Sequence, residues 1–147
     1  MAARGSGRRR SDKRPDAAID VAVAVVERRG RVLVARRRAD AHLPRVFEFP
    51  GGKIERGETP EAALRREVRE EVGLEIESAE PVVLVEHAYP DRRVRLHFFR
   101  CRAPRGRARA LAALEVLWVT VEDLLELEIP EPNRAVLRRH FLAPKAR

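Results

Sequence analysis

Residues 52–74 read GKIERGETPEAALRREVREEVGL. Thr59 followed by Pro60 is a helix start, with a hydroxyl to cap the first free amides and a ring that pre-sets φ at the first helical position. Leu64, Val68 and Val72 then recur every fourth residue, which lines up one apolar stripe, and Gly73 follows where a helix ends in a left-handed residue. On this helix Glu67, Glu70 and Glu71 share a face about 100° wide beside the stripe. Three like charges so placed repel each other. Cations offset that repulsion, and hard oxygen ligands select Mg²⁺ or Mn²⁺. Arg66 adjoins the cluster and is placed to orient a carboxylate. Glu58, just upstream, can close on the same site, and the Gly51-Gly52 turn can offer a backbone carbonyl. The plain alternative is a solvated acidic face.

The flanks read as a frame for this segment. Ile19 to Val26 alternates, with Ile19, Val21, Val23 and Val25 on one side and Asp20, Ala22 and Ala24 on the other. Glu27 to Gly30 is a polar turn and Arg31 to Arg37 a second strand, making a hairpin. Arg38 to Phe47 is a polar connection, and Pro50-Gly51-Gly52 bends the chain tightly. Beyond the helix, Val82 to His87 and Val94 to Arg102 are strands joined by Ala88 to Arg93. Ala103 to Ala113 is a loop of Pro, Gly and Arg, and Val116 to Val119 a short strand. Thr120 caps a short helix through Leu125, with Asp123 at its third position. Asn133 starts a terminal helix carrying Val136, Leu137 and Phe141. The mixture of strands and helices is α/β.

A chain of 147 residues, 44% hydrophobic, makes one core. Half of the formal charge of +8 sits in the first eighteen residues, where Arg4, Arg8, Arg9, Arg10, Lys13 and Arg14 face only Asp12 and Asp16. That stretch has no apolar periodicity and reads as a disordered, solvated tail rather than a nucleic-acid arm. The domain expected to follow runs over 19–143, with a short tail over 144–147. No apolar run reaches membrane-spanning length and no secretory apolar region follows the basic start. Cys101 is the single cysteine, so no internal disulfide forms and a cytoplasmic setting is expected. No Cys-His signature marks it as a nucleophile.

Gly52, Glu58, Arg66-Glu67, Val68, Glu70-Glu71, Gly73 and Leu74 match the Nudix box, G-x5-E-x7-R-E-U-x-E-E-x-G-U, at every position. A chance match is on the order of 10⁻⁹ per starting point at average residue usage. The chain thus resembles the Nudix family, which implies a mixed, curved β-sheet between α-helices with the box as loop-helix-loop, and Mg²⁺-dependent hydrolysis of nucleoside diphosphate linkages. Arg37 to His42, Glu48 to Glu55, Tyr89 to Arg92 and Pro132-Asn133 look like its MutT branch, which cleaves 8-oxo-dGTP to 8-oxo-dGMP and pyrophosphate by water attack at the β-phosphorus. The likeness covers roughly residues 21–142. It implies a metal held by the Gly51 carbonyl, Glu58, Glu67, Glu70 and Glu71, with Glu67 also a candidate base and Arg66 in the catalytic set. It also implies a nucleotide pocket of Arg37, His42, Glu48, Phe49, Pro50, Tyr89, Arg92 and Asn133.

Bland readings stand beside several of these: helix capping for Asn133, core for Phe49, surface loop for His42, and surface charge for Arg37 and Arg92. Two departures from the pattern stand out. The loop from Arg105 to Leu114 has no acidic residue, with Ala112 where some relatives place a glutamate. Tyr89 stands where a Phe is found. The competing functions are a (d)CTP or modified pyrimidine triphosphatase, an RNA-end pyrophosphohydrolase, and a non-catalytic Nudix-like module that binds nucleic acid. The intact glutamates argue against the last. Monomer and homodimer are both open.

Overall fold

The computed structural model describes residues 17–36 and 46–142. Its seven strands form one mixed sheet: β1 (Ala18–Arg28), β2 (Arg31–Arg36), β3 (Phe47–Glu48), β4 (Gly51–Lys53), β5 (Ser78–Tyr89), β6 (Arg92–Arg102) and β7 (Glu115–Val119). The helices are α1 (Pro60–Val72), α2 (Val121–Leu124) and α3 (Glu131–Val136), the last continuing as a π-helical turn over Leu137–Phe141. Among the described residues, no helix is long and apolar enough to cross a membrane.

β1 is the central strand. It runs parallel to β6 from Ala18↔Arg93 to Glu27↔Arg102, and β5 closes that side antiparallel to β6. Parallel neighbours need a long crossover, which the segment carrying α1 supplies. The other edge of β1 is shared. β2 pairs with it only at Glu27↔Val32 and Arg28↔Arg31, whereas β4 takes Val21 to Val23. β2 turns away to pair with β3 and β7. The stretch from Phe47 to Lys53 therefore crosses from β2 to β1. Pro50, which has no amide to donate, sits at the crossing, and its carbonyl accepts from the Ala24 amide at 2.8 Å.

Strand alternation divides the core into two layers. Ala22, Ala24, Val26, Leu33, Phe99 and Cys101 pack with Ala63, Leu64, Val68 and Val72 of α1. On the opposite face Val23, Val25, Val34, Phe49, Leu96 and Phe98 pack with Leu124, Val136, Leu137 and Phe141. The sheet thus lies between helices, as the α/β expectation holds. Leu64, Val68 and Val72 are fully buried, and each such side chain contributes about 1.5–3 kcal/mol. That burial fixes α1 by its stripe and leaves the glutamate face turned away.

α1 has the ends its residues predict. Thr59 Oγ1 accepts from the Ala62 amide at 3.1 Å, and Gly73 closes the helix at φ 74°. Three elements differ from expectation. The Ala88–Arg93 connection shrinks to Pro90-Asp91, because Ala88↔Arg93 and Tyr89↔Arg92 are paired rungs. β5 is also longer than its apolar centre, since its polar ends still find partners on β6. α3 begins at Glu131, two residues before Asn133, with Pro130 at the cap position and no side-chain cap bond. Arg37, His42, the basic tail through residue 16 and residues 143–147 lie outside the described residues.

Candidate active site

α1 and β4 approach closely because β4 begins with two glycines. A Cβ on Gly51 would lie 2.0 Å from the Ala22 carbonyl oxygen, and one on Gly52 would lie 2.3 Å from the Glu67 carboxyl carbon. The Gly51 amide donates to Glu71 Oε1 at 3.0 Å, which ties the end of α1 to the strand. The glutamate face is thereby set directly above the bend.

Arg66 organises the rest. Its Nε donates to Glu58 Oε2 at 2.7 Å and its Nη2 to Glu58 Oε1 at 2.9 Å, a two-pronged pair. Nη1 donates to Glu67 Oε2 at 2.8 Å, and Nη2 reaches the Lys53 carbonyl at 3.1 Å. Glu70 Oε1 lies 3.6 Å from Nη1. The Arg66 guanidinium, with help from the Glu55 amide, holds the Glu58 carboxyl down to about 2. In return Glu58, and then Glu67, raise Arg66 further above its usual value. Glu58 is thus committed to Arg66 on both oxygens. Glu67 Oε1 has no partner among the described residues, and Glu70 is exposed.

The donor set suits a hard divalent cation. Glu67, Glu70 and Glu71 offer carboxylate oxygens, and the absent Cβ of Gly52 leaves the Glu67 carboxylate room against the strand. Among the described residues no three side chains are already gathered as a cage, and Arg66 fills the space between Glu58, Glu67 and Glu70.

A cavity of about 390 Å³ opens on the opposite face of the sheet and reaches the same bend. Seven of the residues expected at the site line it together: Glu48, Phe49, Gly51, Glu71, Tyr89, Arg92 and Asn133. Pro50 does not; it is buried and engaged with Ala24. Asn133 is the one buried polar side chain among the described residues, at 7% exposure, and its amide makes no hydrogen bond with them. It sits inside α3 rather than at its cap, so the capping reading does not hold. Arg92 Nε is likewise buried with no acceptor. Buried polar groups are ordinarily paired, so the unpaired Arg92 Nε and a buried amide with no partner among the described residues, both on one cavity, point to a ligand.

The floor was not singled out in the sequence. Ile19, Val21, Val94, Leu96 and Pro130 line the cavity. Their alternation marks a covered face, but alternation does not say whether side chain or ligand does the covering. Cys101, by contrast, is wholly buried, and desolvation pushes its thiol up to about 12, which makes it inert.

A NUDIX domain family model matches residues 21–139. An 8-oxo-dGTP diphosphatase of Escherichia coli (strain K12) is 33% identical over 122 residues, spanning 82% of this chain and 95% of that protein. A CTP pyrophosphohydrolase of the same organism is 32% identical over 128 residues, spanning 87% and 94%. Among solved structures, a MutT NUDIX hydrolase from Burkholderia pseudomallei superposes with a TM-score of 0.78 at 24% identity, covering 85% of this chain and 99% of that one; this likeness speaks to fold alone.

Proposed function

The chain belongs to the Nudix family and is a pyrophosphohydrolase within it, and from that premise we propose that it cleaves 8-oxo-dGTP to 8-oxo-dGMP and pyrophosphate with Mg²⁺. The observation that carries the choice of substrate is Asn133, a buried amide that lines the cavity and has no hydrogen-bond partner among the described residues. An amide offers a donor and an acceptor side by side, which suits the edge of an oxidised purine. Phe49 and Tyr89 give the ring apolar surface, and Arg92 brings a donor in want of an acceptor. The polyphosphate then runs past Gly51 toward the α1 carboxylates.

Glu67, Glu70 and Glu71 would hold the cation, with Mn²⁺ a substitute; when bound it supplies charge neutralisation along the phosphates. Glu71 is anchored by the Gly51 amide, and Arg66 holds Glu67 by one oxygen. In this reading the other oxygen of Glu67 accepts a proton from water. As that water oxygen bonds to the β-phosphorus, the bond from β-phosphorus to the bridging oxygen breaks and the nucleoside monophosphate leaves. Glu58 acts through Arg66 and not on the substrate. The cytoplasm, where nucleotide pools lie, is part of the same reading.

A panel of 8-oxo-dGTP, dGTP, dCTP, CTP and 5′-triphosphate RNA, read by pyrophosphate release, tests it. 8-oxo-dGTP is expected to lead dGTP in kcat/KM, and equal values would defeat the assignment. A lead for CTP or dCTP would favour the pyrimidine reading, which the likeness to the CTP pyrophosphohydrolase keeps in view. Asn133→Ala is expected to narrow the ratio of oxidised to normal substrate by about tenfold, the loss of roughly one buried hydrogen bond. A uniform loss across the panel would mean that Asn133 only supports the fold.

A further inference from the structure

A second cavity, about 800 Å³, lies away from the carboxylates at the other end of β1. It lies around the β1–β2 turn, six residues beyond Val23, or roughly 20 Å along the strand from the bend at β4. We propose that this groove docks the phosphodiester backbone of a nucleic acid.

The turn itself is the first observation. Arg28↔Arg31 closes a loop of two residues, and Arg29 and Gly30 both have positive φ, 53° and 77°. Such a turn favours Asn, Asp or Gly at its first position, and an arginine there carries backbone strain. Arg29 makes no hydrogen bond or ion pair among the described residues that would repay that strain. What the turn gains is a cation at the tip.

The second observation is how the neighbourhood is held. Arg28 spends its own donors on the loop beyond β6: Nε and Nη2 on the Ala103 carbonyl, Nη2 also on Arg105 at 3.0 Å, and Nη1 on Gly106 at 3.0 Å. Its guanidinium lies 4.7 Å from the centre of the Trp118 ring. Arg28 is thus a strut that fixes the turn against the loop and keeps Arg29, Arg31 and Arg102 around one groove. Arg29 and Arg31 have no ion pair among the described residues, and Arg102 has only Glu77 at 4.0 Å. Of the two carboxylates in the wall, Glu27 is paired with Arg100 at 3.4 Å and Glu122 has no ion pair among the described residues. The surplus is cationic, and Phe141 and Val121 give it an apolar wall for a sugar or base. Unpaired guanidinium groups beside apolar surface fit a phosphate chain with its bases better than an acidic peptide.

Fluorescence anisotropy with a dye-labelled single-stranded DNA, its duplex and the matching RNA tests this on the full chain. At least one oligonucleotide should bind, with log affinity falling as log salt rises. The Arg31→Ser/Arg102→Ser variant should bind about tenfold more weakly and flatten the salt slope for a single strand by about 1.4, or about 0.7 per lost contact. Its kcat/KM for nucleotide hydrolysis should be unchanged. Arg29→Gly should also bind more weakly while its melting temperature holds or rises. Stronger competition by poly-glutamate than by nucleic acid would hand the groove to an acidic protein. Binding that survives the double variant, and vanishes when the six cations between Arg4 and Arg14 become Ser, would hand it to the tail. Either outcome, or no binding at all, overturns the proposal.

Discussion

Gly51 and Gly52 stand side by side, and a methyl group added to each meets a different obstacle. At Gly51 it strikes the Ala22 carbonyl, part of the central strand and unable to yield. Gly51→Ala should cost about 3 kcal/mol, at the upper end for overpacking, and lower the urea midpoint accordingly. At Gly52 it strikes the Glu67 carboxylate, the end of a flexible side chain. Gly52→Ala should leave the midpoint within about 1 kcal/mol of the parent and cut kcat about tenfold or more, by moving Glu67. A matching loss of stability in both variants would show that Gly52 serves packing rather than the carboxylate. Glu71→Gln keeps an acceptor for the Gly51 amide and removes a charge. Turnover should fall by about 100-fold or more while the melting temperature stays within a few degrees. Retained turnover would remove the α1 face from the chemistry. The glutamates were legible because charge crowding on a helix is a local property of spacing. Glu58 was not legible as the partner of Arg66, because a loop residue's direction depends on where the loop closes. Nor was the burial of Asn133, which depends on the sheet beneath α3.

At the scale of elements, α1 was readable end to end: cap, proline, stripe and terminal glycine are all written in consecutive residues. Thr59→Ala tests the cap. It should cost about 1 kcal/mol and a few degrees of melting temperature, with kcat nearly unchanged. A large kcat loss at full stability would mean that the start of α1 also positions Glu58 and Arg66. Strands were readable only in their apolar middles. β5 extends beyond Val82 to His87, from Ser78 to Tyr89, because β6 lies alongside, and the turn at Pro90-Asp91 is tight because Tyr89 and Arg92 are paired. Polar residues at a strand end look like loop until the partner is known. The start of α3 at Glu131 was hidden for a related reason: with Pro130 at its cap and no capping side chain, it lacks the usual signal.

The whole molecule carries an acid signature that spans both sides of the site. Asp20 is held down to about 2, first by Arg95 and then by His97, against the opposing effect of burial. Glu58 is held down to about 2 by Arg66 and the Glu55 amide. In the unfolded chain these groups revert to 3.8 and 4.5. Between those values and about 2 the unfolded chain binds more protons, so stability rises with pH through that window. The urea midpoint should be steady above about pH 5 and fall as pH drops toward 2. Asp20→Asn together with Glu58→Gln should flatten that fall. A parent midpoint that does not move below pH 4 would show that neither pair contributes.

The ten-rung ladder between β1 and β6 sets a schedule for the chain's own manufacture. Its partners are 75 residues apart in sequence, Ala18 with Arg93 and Glu27 with Arg102. At about 5–20 residues per second, the ribosome releases β1 several seconds before β6 exists to receive it. During that wait β1 carries the run from Ala22 to Val26 with one edge unpaired. Only the β2 turn and then β4 can shield it. A nascent chain stalled before β6 should therefore be the species that chaperones bind, and released chains truncated there should aggregate.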